Sequence, residues 1–193
     1  MKLLLATRNP GKLAELRRLL GGFSVVGLAD VPEFPEAPET GATFEENAIG
    51  KARDAFRATG LASVADDSGL EVAALNGMPG VLSARWAGVH GKDVANTALL
   101  LAQLQDVPDE RRGGAFVSAC ALVAPLGETV VRGTWLGRIA REPLGDGGFG
   151  YDPVFIPEGS TRTAAELTPE EKDAASHRGR ALAALLPALR ELA

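Results

Sequence analysis

The sequence is poor in the residues that build zinc sites and disulfide frameworks. It has one cysteine, Cys120, and two histidines, His90 and His177, among 193 residues. These residues cannot form a zinc site at familiar spacings, and a single cysteine permits no internal disulfide. We therefore expect any bound metal to be a hard cation held by carboxylates, Mg²⁺ or Mn²⁺, and we expect a reducing cytoplasm as the compartment.

Long apolar runs and an excess of positive charge are also missing. The run Lys2–Ala6 is too short for the core of a signal peptide, and no later run is long enough to cross a membrane. The net charge of -5 argues against a nucleic-acid binder that relies on neutralising phosphates. The hydrophobic content is 46%, which is typical of one globular domain, 1–193, or of two lobes too closely packed to separate by sequence.

Strand-like and helix-like patterns alternate along the chain, which predicts an α/β fold. The predicted strands are Lys2–Ala6, Phe23–Leu28, Leu61–Ala65, Phe116–Ala124, Thr129–Ile139 and Val154–Ile156, and Leu70 and Val72 continue an alternating strand pattern. Helices are predicted from Pro10 to Leu20, from a Thr43 cap to Thr59, from an Asp93 cap to Gln105, after a Thr168 cap, and from Arg180. We expect Leu99, Leu100 and Leu104 to form the apolar face of the third helix, and Asn76-Gly77 is a turn signal. We expect Pro187 to kink or shorten the last helix, because proline lacks the backbone donor that a helix interior needs.

Two adjacent carboxylates, Asp66 and Asp67, follow the buried strand Leu61–Ala65. We call them the acidic pair, and we expect Ser68-Gly69 to turn the chain after them. Ligands usually bind at the carboxyl ends of strands in open α/β sheets. Like charges this close are costly unless a cation shares them, so the acidic pair is a candidate cation site.

A candidate phosphate site, Thr7–Lys12, lies between the first strand and the first helix. Asn9 is a good N-cap and Pro10 suits the first helical position. The amides at a helix start attract anions, and Lys12 adds a positive charge. The segment is not a Walker A loop, and ordinary helix capping with a solvated lysine remains the alternative.

Several other residues can be interpreted either as ordinary structural or surface residues or as functional ones. Glu39 could be a metal ligand or a solvated loop acid, and Asn47 with Lys51 is usually a surface pair. Arg111-Arg112 is expected to be solvated surface. The glycine-rich loop 144–152 carries Phe149 and Tyr151, and an aromatic ring can stack on a nucleobase. His177-Arg178 is predicted to lie in a break between helical segments, where it offers hydrogen-bond donors.

Together these signals resemble the inosine/xanthosine triphosphate pyrophosphatase family, and the resemblance covers the chain from Thr7 to the last helix. The motifs that carry it are Thr7-Arg8-Asn9-Pro10-Gly11-Lys12, Glu39-Thr40-Gly41, Thr43-Phe44-Glu45-Glu46-Asn47-Ala48, Lys51-Ala52, Ala65-Asp66-Asp67-Ser68-Gly69-Leu70, Gly77-Met78-Pro79-Gly80, Ser83-Ala84-Arg85, Gly147-Gly148-Phe149-Gly150-Tyr151-Asp152-Pro153 and Ser176-His177-Arg178-Gly179. They occur in the family's order, and their combination is highly specific.

The resemblance implies a long, twisted mixed sheet with helices on both sides and two lobes that flank a nucleotide-binding cleft. It also implies a homodimer that requires Mg²⁺, with Mn²⁺ as a substitute. The implied reaction cleaves ITP, dITP or XTP between the α- and β-phosphates and releases a nucleoside monophosphate and pyrophosphate. No nucleic-acid or membrane partner is expected.

The resemblance also implies roles for individual residues. Asp67 would be the catalytic acid–base, and Glu39 and Asp67 would hold the metal. Substrate contacts would come from Thr7, Arg8, Asn9, Pro10, Gly11, Lys12, Lys51, Ser68, Phe149, Gly150, Tyr151, Asp152, Lys172, His177 and Arg178. Asp66 is expected to be a supporting acid, since adjacent strand residues point to opposite faces.

Base selectivity has a chemical interpretation in this sequence. Donors from His177 and Arg178 would pair with the 6-oxo group of hypoxanthine or xanthine and remain unsatisfied against adenine. Arg178→Ala is therefore expected mainly to erode a preference for ITP over ATP. No residue accounts for the rejection of guanine. A pyrophosphatase for modified pyrimidine nucleotides and a catalytically silent nucleotide-binding protein are the alternatives.

Overall fold

The computed structural model describes residues 2–35 and 37–192. Within them a mixed sheet has the strand order β2-β1-β3-β4-β5-β6. The strands are β1 (Lys2–Leu5), β2 (Ser24–Gly27), β3 (Ala62–Val72), β4 (Gly113–Ala124), β5 (Gly127–Ile139) and β6 (Phe155–Pro157). β1 runs parallel to β2 and β3, whereas β5 and β6 are antiparallel. The predicted α/β class with a mixed sheet is confirmed, and the cleft between two lobes stays a prediction.

Helices alternate with the strands as predicted. They are α1 (Pro10–Leu19), α2 (Phe44–Thr59), α3 (Asp93–Gln103), α4 (Pro169–Ala175) and α5 (His177–Arg190). The side chains of Asn9, Thr43 and Thr168 accept hydrogen bonds from the first turns of α1, α2 and α4. Gly60 ends α2 at a φ of 68°, the left-handed conformation that favours glycine at this position. None of the helices in the described ranges is both long and apolar enough to cross a membrane.

The chain divides into two compact units, each with its own core. The first unit contains the chain up to Asp67, the segment Ser118–Gly133 and the chain from His177 onward. The second unit contains Ser68–Val117 and Thr134–Ser176. Leucines of β1, α1 and α5 dominate the first core, which includes Leu3, Leu5, Leu16, Leu182 and Leu185. The second core is richer in aromatic side chains and includes Phe116, Trp135, Tyr151 and Phe155.

Strand β3 does not end at the acidic pair, so the predicted turn at Ser68-Gly69 is wrong. The strand continues to Val72, and the chain turns at the predicted Asn76-Gly77, where φ is 50° and 85°. Gly69 serves packing instead of a turn. A Cβ there would lie 2.5 Å from the carbonyl oxygen of Gly80, at the start of a short 3₁₀ segment, Gly80–Arg85.

The last helix also differs from its prediction. It begins at His177 instead of Arg180, and Pro187 lies inside it without ending it. Leu185 and Leu189, on either side of the proline, are buried in the first core, and the amide of Glu191 bonds to the carbonyl of Pro187. Burial of this apolar stripe outweighs the hydrogen bond that proline cannot donate.

Two predictions about which residues of the second unit are buried are wrong. Arg112 is 2% exposed, and its guanidinium donates to the carbonyl oxygens of Leu104, Ile139 and Ala140 at 2.6–2.9 Å. The expected apolar residue Leu99 of α3 is exposed. Burial of Arg112 is tolerated because each guanidinium nitrogen has a carbonyl partner.

Candidate active site

The acidic pair lies just beyond the carboxyl end of β1. The parallel pairing of β1 with β3 ends at Leu5 and Val64, and the amide of Ala6 still donates to the carbonyl of Val64. The chain after β1 leads directly into α1, while β3 continues past it. The acidic pair therefore lies near a parallel strand end, the usual ligand position in α/β sheets, although its own strand does not stop there.

Asp67 is held by two residues of α2. Asn47 Nδ2 donates to Asp67 Oδ2 at 3.0 Å, and Lys51 Nζ lies 3.2 Å from Asp67 Oδ1. Lys51 Nζ also lies 2.9 Å from Glu39 Oε1, so two carboxylates converge on one ammonium. The expectation of a surface Asn/Lys pair is wrong, because the helical spacing of one turn directs both side chains to Asp67.

The loop that carries Glu39 is fastened to the same helix. The Gly41 amide donates to Asn47 Oδ1 at 2.8 Å, and a Cβ at Gly41 would lie 2.6 Å from that oxygen. Only glycine fits this close approach. Asn47 thus accepts from the loop that carries Glu39 through Oδ1 and donates to Asp67 through Nδ2.

Burial and the two lysines have opposite effects on Asp67. Burial raises the pKa of Asp67, and the attraction of Lys51 and Lys12 does not fully offset it. Burial lowers the pKa of Lys51, but Asp67, Asp66 and Glu39 outweigh burial and hold that pKa above its ordinary value. A carboxylate with a raised pKa is a stronger base than an ordinary aspartate, which suits proton abstraction.

Asp66 points to the other face of β3, as its alternation with Asp67 predicts. Its Oδ2 lies 3.2 Å from Lys12 Nζ and from Arg178 Nε, and 3.3 Å from Arg178 Nη2. Arg178 Nη1 contacts Glu15 of α1. Burial alone would raise the pKa of Asp66, but Lys12 and Arg178 outweigh it and hold the pKa well below its usual range. Lys12 and Arg178 therefore favour the charged form of Asp66.

The helix start within the candidate phosphate site is capped by Asn9, as its sequence predicts. Asn9 Oδ1 accepts from the Lys12 amide at 3.1 Å, and Thr7 Oγ1 accepts from the Asn9 amide at 3.3 Å. Arg8 and Pro10 are exposed at the start of α1. Burial lowers the pKa of Lys12, and Asp66 opposes that effect. The lysine belongs to the acidic site and is not solvated.

The glycine-rich loop and Lys172 come together in the second unit. Lys172 Nζ donates to Asp152 Oδ2 at 2.6 Å and lies 4.9 Å from the centre of the Phe149 ring. The Phe149 amide donates to the same Asp152 oxygen at 2.8 Å. Tyr151 is buried, and its hydroxyl donates to the carbonyl of Ser83 at 2.8 Å, so its ring packs in the second core.

Most predicted site residues therefore fall into two groups. The first unit brings together Lys12, Glu39, Lys51, Asp66, Asp67 and Arg178. The second unit brings together Phe149, Gly150, Tyr151, Asp152 and Lys172. The predicted break between helical segments lies at Ser176, and His177 is the buried first residue of α5 directly after it. Ser68 is half-buried in β3.

Sequence reasoning missed Asn47 and Glu15 as site residues. Asn47 had a signal, because it lies one turn before Lys51 on a well-capped helix. Glu15 had none, since an acid in the middle of an amphipathic helix is ordinarily solvated. Among the described residues, no group of three or more histidines, cysteines or acids has a metal-binding arrangement. The pair Glu39 and Asp67 is the remaining carboxylate candidate.

Known proteins are similar to this chain over nearly its whole length. A "dITP/XTP pyrophosphatase" of Mycobacterium tuberculosis is 74% identical over 197 aligned positions, which cover 100% of this chain and 97% of that protein. The crystal structure of a "Nucleoside-triphosphatase / dITP/XTP pyrophosphatase" from Mycobacterium abscessus is 71% identical with a TM-score of 0.79, and the match covers 97% of this chain and 100% of that one. The Ham1 protein of Staphylococcus aureus is 38% identical with a TM-score of 0.88, and both chains are covered completely.

The match to a family is equally extensive. The sequence model of the Ham1 family matches residues 3–188, which include every predicted site residue. The resemblance to inosine/xanthosine triphosphate pyrophosphatases is confirmed, since relatives at 70–74% identity carry the name dITP/XTP pyrophosphatase. This chain belongs to the Ham1 family.

Proposed function

We propose that this chain is a nucleoside triphosphate pyrophosphatase that hydrolyses dITP, ITP and XTP to the nucleoside monophosphate and pyrophosphate. The names of its relatives support this substrate class. The observation that carries the chemistry is the setting of Asp67, a buried carboxylate with a raised pKa that Asn47 and Lys51 hold in place. The enzyme would remove aberrant purine nucleotides from the nucleotide pool.

The phosphates need positive charge, and the first unit offers it from three sources. The amino end of α1 carries the partial positive charge of the helix dipole, and Lys12 and Lys51 add two ammonium groups. Lys12 is held by Asp66, whose own charge is fixed by Arg178. Because both lysines already lie in ion pairs, they are positioned before the substrate arrives, which reduces the ordering cost of binding.

Glu39 and Asp67 fit a hard divalent cation. Their oxygens converge on the Lys51 ammonium at 2.9 and 3.2 Å, so the chain already brings two carboxylates to one cationic atom. Carboxylate oxygens are the ligands that Mg²⁺ prefers, and Mn²⁺ shares this preference. When bound, Mg²⁺ would neutralise phosphate charge and polarise the phosphorus centre that water attacks.

Asp67 would act as the general base. Its carboxylate would accept a proton from the attacking water, and the oxygen of that water would form the new bond to phosphorus as the bond to pyrophosphate breaks. Asn47 donates to Oδ2 and Lys51 contacts Oδ1, which fixes the direction of the carboxylate. Lys51 and Lys12 would stabilise the negative charge that develops on the phosphate oxygens.

Base selection would depend on donors that match a 6-oxo acceptor. His177 and Arg178 remain the proposed donors, and Phe149 offers an aromatic face for the purine. The ion pairs of Arg178 with Asp66 and Glu15 give this residue a further task, because they anchor the acid that holds Lys12. Arg178 would thereby influence phosphate binding as well as base preference.

A cytoplasmic homodimer completes the proposal. The family resemblance supports the dimer, and a nucleoside triphosphate substrate supports the compartment. Size-exclusion chromatography with light scattering would test the assembly, because a monomeric mass at enzyme assay concentrations would refute it.

A nucleotide panel tests the proposed function. The purified chain is given dITP, XTP, dATP, dGTP, dTTP and UTP with Mg²⁺, and pyrophosphate and orthophosphate are detected separately. We expect pyrophosphate as the first product and the highest kcat/KM values for dITP and XTP. A preference for UTP or dTTP, or orthophosphate as the first product, would refute the proposal.

A further inference from the structure

Helix α3 fastens the glycine-rich loop at Gly150. The Gly150 amide donates to Asp93 Oδ2 at 2.8 Å, and Thr97 Oγ1 donates to the Gly150 carbonyl oxygen at 3.4 Å. Asp93 and Thr97 lie one helical turn apart, so they share a face of α3. One helix face therefore engages both the donor and the acceptor of a single loop residue.

The Asp93 carboxylate does not cap the helix that it begins. Its position at the start of α3 is typical of a cap, but α3 has no side-chain capping bond, and Lys92 precedes its first turn. The carboxylate is directed to the loop instead. The sequence signal for a cap is therefore explained by a contact with a residue 57 positions away.

The neighbours of Gly150 are held as well. Gly150 has a φ of 63°, and Tyr151 next to it is anchored to Ser83. On the other side, the Phe149 amide is held by Asp152, which also accepts from Lys172. The α3 anchor thus fixes the one residue between Phe149 and the buried Tyr151, and it thereby restricts where the Phe149 ring can lie.

We propose that Asp93, assisted by Thr97, is a positioning residue that holds the loop Phe149–Asp152 in its nucleotide-binding conformation. The inference rests on the proposed function, in which Phe149 contacts the purine base. A loop that populates its binding conformation only part of the time weakens binding by that fraction. Loss of the anchor should therefore raise KM for nucleotides and leave kcat nearly unchanged, since Asp67 lies in the first unit.

Two pairs of variants test the anchor. Asp93→Ala removes the acceptor, whereas Asp93→Asn keeps an oxygen for the Gly150 amide. We expect KM for dITP to rise about tenfold in Asp93→Ala, the effect of losing one hydrogen bond to a charged acceptor, and to stay within about twofold in Asp93→Asn. Thr97→Val should raise KM by about twofold to threefold, because its bond is long, and Thr97→Ser should restore it.

A ligand that lacks a nucleobase distinguishes an effect on the position of the loop from a general destabilisation of the fold. Inorganic tripolyphosphate can occupy a phosphate site but has nothing to place against Phe149, so its inhibition constant should be the same in Asp93→Ala and the unmodified chain. Gln103→Ala is the matched control on α3, since the side-chain oxygen of Gln103 accepts from Trp86 Nε1. We expect this control to leave KM for dITP unchanged.

The results that would overturn the inference are distinct from failure of the proposed function. An unchanged KM in Asp93→Ala would overturn it, as would a tripolyphosphate inhibition constant that rises in parallel with KM. If the unmodified chain releases no pyrophosphate from dITP, the proposed function fails, and amide hydrogen exchange then tests the anchor alone. Exchange at Gly150 should be about tenfold faster in Asp93→Ala than in Asp93→Asn, and equal rates would refute the anchor. If Asp93→Ala does not fold, the same measurements on Thr97→Val and Thr97→Ser test the anchor.

Discussion

Arg178→Met should destabilise the protein strongly. The Arg178 side chain is 1% exposed, and its guanidinium contacts Asp66 through Nε and Nη2 and Glu15 through Nη1. Methionine keeps much of the packing but withdraws the cation from two buried carboxylates. Removing one partner of a buried ion pair costs about 3–5 kcal/mol. For a chain of this length each kcal/mol lowers the melting temperature by about 2–4 °C, so a decrease of roughly 6–20 °C is expected.

Urea unfolding followed by tryptophan fluorescence measures this cost, and pH identifies its cause. Because the folded-state pKa of Asp66 lies below its unfolded value, its stabilisation is present above the unfolded pKa of about 3.9 and is lost as pH falls towards the folded value. The difference between Arg178→Met and the unmodified chain should therefore be largest near neutral pH and shrink below about pH 4.

The matched control is Arg180→Met, two residues along the same helix at an exposed position, which should change stability by no more than about 0.5 kcal/mol. If Arg178→Met unfolds at the same urea concentration as this control, or if its deficit grows as pH falls, the account of the Asp66 network is wrong. Base preference in any Arg178 variant should be measured well below its melting temperature, so that a loss of fold is not counted as a loss of selectivity.

Three further predictions follow from the site and the second core. Since burial raises the pKa of Asp67, kcat/KM should decline on acidification at a higher pH than for an ordinary aspartate. Because Lys51 lowers the pKa of Asp67, Lys51→Met should move this decline to a still higher pH. An identical pH profile in Lys51→Met would show that Lys51 does not influence the pKa of Asp67. Chelation of divalent metal should abolish pyrophosphate release, and Glu39→Gln should raise the Mg²⁺ concentration for half-maximal rate; an unaltered Mg²⁺ titration would remove Glu39 from the metal site. Arg112→Met should lower the free energy of unfolding by about 3 kcal/mol in urea titrations without changing the activity of the folded enzyme, whereas exposed Arg111→Met should change it by less than about 0.5 kcal/mol; equal effects would refute the buried role of Arg112.

Local rules account for much of the fold. The caps at Asn9, Thr43 and Thr168 and the turn at Asn76-Gly77 were predictable because each depends on residues within a few positions. The same rule was misleading for Asp93, whose local pattern is that of a cap while its partner is Gly150. The local sequence indicates which hydrogen-bond partners a polar side chain can have, and tertiary packing determines which of them it contacts.

The acidic pair shows where local reasoning ends. Two aspartates followed by Ser68-Gly69 have low strand propensity, which favoured a turn. In the structure β3 continues because Lys51 compensates Asp67 on one face and Lys12 compensates Asp66 on the other. Neither partner is near in sequence, so the strand's own residues could not show that it continues through the acidic pair.

The sequence predicted which residues belong to the candidate site better than it predicted which residues they contact. The family resemblance indicated Lys12, Glu39, Lys51 and Asp67, and the structure brings them together in the first unit. The network of Arg178 was not predictable, since its partner Glu15 has no distinguishing signal in sequence.

The central claim is that Asp67 performs the chemistry on a bound purine triphosphate, and Asp67→Asn tests it most directly. Pyrophosphate release from dITP and dITP binding by calorimetry are measured on the same preparation, with Glu128→Gln, an exposed acid of the first unit, as the control. We predict that kcat falls by about 10²–10⁴ while the Kd for dITP changes little and the control matches the unmodified chain. An Asp67→Asn enzyme that releases pyrophosphate at the normal rate would contradict the account.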